Sequence, residues 1–182
     1  PSATKNTTRA RRRAAGKLST LDRALDECPI SGSIGIGHTR WATHGVPSVE
    51  NAHPHVSGQV AVVHNGIIEN YQQLKEELTN DGITMQTETD TEVVAHLANV
   101  YLKAGMQPKD MMQALLSKIQ GAFASLIMMA QHPDTLLAAR KYSPLAIAHG
   151  DGEMFLGSDA LALAHLSRKI SYLEEGDWAI IT

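Results

Sequence analysis

An α+β fold, antiparallel sheets covered by helices, is what this sequence predicts. Two patterns carry that reading. Between Ile67 and Ile119 apolar residues recur mostly at helical spacing, whereas from Phe123 onward short apolar runs alternate with tight-turn residues. The chain is 182 residues long and 43% apolar, enough for one domain with its own core.

Taken in order, Leu18, Leu21, Ala24 and Leu25 line one face of a short helix. Ile34 and Ile36 alternate with glycines and read as a short strand, as does the apolar run Gln59 to His64. Ile67, Ile68, Tyr71, Leu74 and Leu78 then repeat at helical spacing until Asp81-Gly82 ends the helix. Ile83 to Gln86 reads as a strand. Thr89 or Asp90 caps a helix through Val93, Val94, Leu97 and Tyr101, stopping near Gly105. Pro108 opens another, whose Met111, Met112, Leu115, Leu116 and Ile119 are core packing. Strands follow at 124–130, 136–140, 145–148, 154–156, 169–173 and 178–181, with a short helix over 160–166. His132-Pro133-Asp134 and Gly150-Asp151-Gly152 read as turns.

Three polar segments interrupt this scaffold. His38-Thr39-Arg40-Trp41-Ala42-Thr43-His44-Gly45 gathers a guanidinium, a hydroxyl, two imidazoles and an indole at the end of the first strand. His64-Asn65-Gly66 and Thr87-Glu88-Thr89-Asp90-Thr91-Glu92 follow. Together they hold the parts of a pocket for a free α-amino acid. Arg40 is the planar, two-toothed cation that an α-carboxylate needs, and Thr43 and His44 add donors. Asp90 supplies an anion for the α-ammonium. The Asn65 amide beside the Gly66 backbone N–H suits a developing oxyanion, and glycine there lets the backbone approach closely. Asp90 keeps two readings, ligand and helix cap; from the segment alone the cap weighs more.

HTRWATHG (His38–Gly45), NAHPHV (Asn51–Val56), VVHNGIIENY (Val62–Tyr71) and TETDTE resemble the glutaminase domain of the glucosamine-6-phosphate synthases. These are glutamine–fructose-6-phosphate aminotransferases, class II glutamine amidotransferases. The likeness runs from about Gly16 to the C-terminus, through HPDTLLAAR, SDALAL and LEEGDWAIIT. It implies a four-layer αββα sandwich of the N-terminal-nucleophile hydrolase type. It also implies hydrolysis of glutamine to glutamate and ammonia, the ammonia passing to fructose-6-phosphate. Arg40, Thr43 and His44 would hold the glutamine carboxylate, Asp90 its amine, and Asn65 with Gly66 the oxyanion; Trp41 would cover the site. A sugar-phosphate isomerase domain is the implied partner, in a homodimeric full-length enzyme. That family's nucleophile is an N-terminal cysteine whose own α-amine acts as base. This sequence begins Pro1-Ser2-Ala3-Thr4. The expectation is therefore a domain without its first strand, helix and strand, and without the attacking thiol. The alternative is a catalytically dead glutamine- or glutamate-binding or interaction module.

Composition narrows the rest. A net charge of −3 singles out neither nucleic acid nor anionic lipid as a partner. One cysteine, Cys28, excludes a disulfide framework and fits a reducing, cytoplasmic setting. Between two acidic neighbours and Pro29, it reads as an inert thiol in a connection. No run approaches the roughly 20 apolar residues of a membrane span. Residues 1–15, rich in arginine, read as a solvated tail, and 16–182 as the domain. His38, His44, His53, His55 and His64 raise a metal reading. No His-Glu-x-x-His pattern supports it, so neither metal nor other cofactor is expected.

Overall fold

The strand β2 (Val60–Ile68) organises the molecule. Its run VAVVHNGII is buried along its first five residues, as a central strand requires. The computed structural model describes residues 10–41 and 44–182. β2 pairs antiparallel with β1 (His55–Ser57) on one side and β3 (Gly121–Met129) on the other. β4 (His132–Lys141) and β8 (Trp178–Ile181) complete a five-stranded sheet of order β1-β2-β3-β4-β8. A second antiparallel sheet has β5 (Ala146–His149) between β6 (Met154–Gly157) and β7 (Ile170–Tyr172).

Four helices precede β3: α1 (Leu18–Glu27), α2 (Tyr71–Asn80), α3 (Thr91–Lys103) and α4 (Pro108–Lys118). The last three cover one face of the large sheet. There Val60, Val62, Phe123, Ile127 and Leu137 meet Leu74, Val94, Leu97, Met111, Met112 and Leu115 in the main core. Alternate strand residues face the other way. Ala124, Ala138 and Leu126 join Leu145, Leu156 and Leu173 in a layer between the two sheets. Beyond the small sheet, Ala146, Ala148, Phe155 and Ile170 pack on Leu163 of α5 (Ala160–Leu163). The order is thus helix, sheet, sheet, helix: the expected αββα sandwich.

Several local expectations are corrected. Among the described residues the Ile34–Ile36 run pairs with no strand; its alternating glycines weaken a strand and offer side chains on one face only. Ile67 and Ile68 end β2 rather than opening α2. Ile83–Gln86 is not a strand, because the Glu92 carboxylate takes the Gln86 and Thr87 amides at 2.8 and 2.7 Å. The turn before β4 falls at Ala130-Gln131, and His132–Thr135 lie where the β3–β4 register shifts. β1, three residues long, carries no pattern of its own and was not anticipated. Of the basic run, residues 1–9 lie outside the described residues; Arg11 and Arg13 donate to the carbonyls of Pro54, Glu50 and Ala52. Among the described residues no helix is long and apolar enough to cross a membrane.

Candidate active site

Three elements converge on a cavity of about 240 Å³: the 38–41 segment, the second half of β2 and the start of α3. Its lining includes Arg40, Trp41, Asn65, Gly66 and Asp90, five of the seven residues singled out from sequence. His44 stands behind them, its Nδ1 3.9 Å from Asp90 Oδ1 and its ring edge-on to Tyr71. Thr43 lies outside the described residues. Trp41 is 90% exposed at the cavity.

Strand geometry explains the Asn65-Gly66 pair. The Glu69 N–H bonds Gln120 and the Ala130 N–H bonds Gln59, so odd-numbered residues of β2 face β3 with their backbone groups. Even-numbered ones point to the opposite side, where β1 reaches only to Val62. Gly66 and Ile68 therefore direct their N–H groups past the end of β1, toward the cavity. Ile68 gives its N–H to Asp90 Oδ2 at 2.8 Å. Among the described residues, the Gly66 N–H has no strand opposite it. Gly66 itself is demanded by β3: at φ +113, a Cβ would lie 2.0 Å from the Ala122 carbonyl oxygen.

Asp90 is buried at the N-cap position of α3, but its side chain takes no cap bond. Its backbone is already helical (φ −64, ψ −26), which turns the carboxylate away from the first amides of α3 and toward Ile68 and His44. The structure thus corrects the reading that sequence favoured. Arg40 is held by its own loop. Its guanidinium donates to the carbonyls of His44, Gly45 and Val46, folding its own loop around itself. Three of its five N–H groups are so used, and two remain. The loop is pinned from outside by Glu88 Oε2, which accepts from Asn51 Nδ2 and the Val46 N–H.

Sequence reasoning missed the ring of groups behind these residues. His38 Nε2 lies 2.7 Å from Asn65 Oδ1, and its Nδ1 accepts the Arg40 N–H at 2.8 Å. Thr91 Oγ1 joins His53 Nε2 and His64 Nδ1, at 3.0 and 2.9 Å. His53 stacks on His38 with centroids 4.1 Å apart. Burial pushes all of these imidazoles below their usual range. His53 falls to about 2, with neighbouring imidazoles adding repulsion, and His55 to about 4. His38 is lowered mainly by burial, against its bonds to Asn65 and the His64 backbone. His64 is lowered by burial despite the Asp90 charge. The cluster is neutral. Among the described residues, no three His, Cys, Asp or Glu side chains form a group able to hold a metal. Cys28 is exposed beyond α1, against Arg12, and does not line the cavity.

This architecture and these motifs have known counterparts. The family described as a glutamine amidotransferase domain matches residues 38–165. The isomerizing glutamine–fructose-6-phosphate aminotransferase of Zymomonas mobilis is 58% identical over 172 residues, 94% of this chain and 28% of that protein. That of Bradyrhizobium diazoefficiens is 57% identical over the same share. The chain therefore spans 28% of the length of these relatives. Among solved structures, glutamine phosphoribosylpyrophosphate amidotransferase from B. subtilis, complexed with ADP and GMP, superposes with a TM-score of 0.65 at 31% identity. It covers 79% of this chain and 31% of its own. The allosteric regulatory enzyme of purine biosynthesis gives 0.66 at 32% identity, over 79% and 32%.

Proposed function

This chain belongs to the glutamine amidotransferase domain family, and we propose that it is the glutaminase part of a glutamine–fructose-6-phosphate aminotransferase. Its reaction is hydrolysis of the glutamine side-chain amide to glutamate and ammonia. The ammonia then aminates fructose-6-phosphate in a sugar-phosphate isomerase domain, in a cytoplasmic enzyme that acts as a homodimer. Identity of 58% to the Zymomonas mobilis enzyme supports that substrate assignment.

One observation carries the reading: the Asn65 amide, the Gly66 N–H side of β2 and the Asp90 carboxylate line one cavity. An α-ammonium against Asp90 would place the side chain of a bound glutamine along β2 toward Asn65. Arg40, with Thr43 and His44, takes the α-carboxylate through the N–H groups its loop leaves available. As a nucleophile adds to the amide carbon (in this family an N-terminal cysteine thiolate), the carbonyl π electrons move onto the oxygen, where Asn65 Nδ2 and the Gly66 N–H donate, and ammonia is the group that leaves. Such donors act in a site already shaped to receive that charge, so they favour the transition state over the ground state. Trp41, which lines the cavity, stands near the route by which the ammonia leaves.

The test is Asn65→Ala in the full-length protein, with glutamate release followed on glutamine. Turnover should fall about 100- to 1000-fold while KM changes little. A loss confined to KM would remove Asn65 from the oxyanion role.

A further inference from the structure

We infer that His38 is a positioning residue that sets the donor polarity of the oxyanion pocket, a role that rests on the glutaminase reading above. The argument starts from the one partner whose role is fixed. A backbone N–H can only donate, so the Arg40 N–H at 2.8 Å makes His38 Nδ1 an acceptor without a proton. In a neutral imidazole the remaining nitrogen, Nε2, must then carry the hydrogen. Nε2 lies 2.7 Å from Asn65, so the Asn65 atom facing it is the carbonyl oxygen. The Asn65 NH₂ is thereby turned away from His38, and Asn65 and His38 line the same cavity. The alternative amide orientation would put two N–H groups face to face.

The same ring serves Arg40. Arg40 has φ +40, a left-handed conformation that non-glycine residues rarely hold. Its N–H bond to His38 Nδ1 holds that turn. His38 thus couples the proposed carboxylate ligand to the proposed oxyanion donor through one tautomer. Stacking on His53 fixes the plane of the ring. Nothing in the roles assigned to Arg40 or Asn65 requires a particular residue at 38; the geometry does.

Two variants separate the halves of this role. In His38→Asn the amide oxygen overlays Nδ1 and still accepts from Arg40, but nothing reaches Asn65. In His38→Gln the terminal NH₂ reaches the Nε2 position and still donates to Asn65, while the acceptor for Arg40 is lost. In the full-length protein, His38→Asn should lower kcat for glutamine hydrolysis about 10- to 100-fold with KM little changed, as for groups that orient another ligand. His38→Gln should keep most of kcat and raise KM. A defect of folding would depress both variants alike, so equal kcat losses overturn the proposal. Independently of activity, long-range ¹H–¹⁵N correlation should find His38 as the neutral Nε2–H tautomer at pH 7. The Nδ1–H tautomer, or a charged ring, would overturn it. A wild-type protein without glutaminase activity but with the expected tautomer would instead overturn the functional reading.

Discussion

At Gly66 a single backbone position decides two things at once. Sequence suggested that glycine makes room for a substrate. The structure adds a second need, that of β3, whose Ala122 carbonyl occupies the space of a Cβ. Gly66→Ala should therefore destabilise the fold by roughly 3 kcal/mol or more, from strain at φ +113 and displacement of β3. A urea midpoint equal to wild type would contradict this. Arg40 and Asp90 carry a related lesson. Their charges suggested complements to the two ends of an amino acid. Their hydrogen-bond partners were not legible, because Arg40 meets carbonyls of its own loop and Asp90 an amide 22 residues away. His38 was visible as the first residue of its motif, yet its role depends on Asn65, 27 residues on. No spacing rule encodes that meeting.

At the scale of elements, helices α2, α3 and α4 were legible because their apolar residues repeat on one buried face. Failures cluster where side chains replace backbone partners. Glu92 hooks back from the first turn of α3 onto Gln86 and Thr87, removing those amides from any strand. The junction of β1, β2 and α3 is built from buried polar groups: His55, His64, Thr91 and Glu92. Its pH response follows. Unfolded imidazoles protonate near 6.5, whereas folded His55 resists until about 4 and His53 until about 2. The unfolded chain thus binds more protons in that window, and stability falls as pH drops from about 6.5 toward 4; above 6.5 these groups contribute nothing further. His55 alone accounts for roughly 3 kcal/mol at the low end. Burial would raise Glu92, but bonds from His96, Gln86 and Thr87 hold it at about 2, adding a second loss below 4.5. The melting temperature should decline steadily between pH 6.5 and 4.5. A flat profile over that range would show that the imidazoles are not held neutral.

Over the whole molecule, the two sheets and their helices act as a frame that brings residues 38–41, 65–66 and 90 to one end of β2. Periodicity predicted an α+β fold; the layer order came from the motif likeness, since residue spacing within strands says nothing about which sheet stacks on which. The main core between α3, α4 and the large sheet is dense with fully buried side chains such as Phe123, Met111 and Ile127, which keeps the frame rigid. The central claim is that this frame presents Asp90 to the ammonium of a glutamine or glutamate. Asp90→Asn tests it most directly, since an amide oxygen can still accept from Ile68 while the charge is gone. In calorimetric titration with L-glutamate, the wild-type chain should bind one equivalent, and Asp90→Asn should bind about 10- to 100-fold more weakly. Equal affinity in the two proteins would contradict the account.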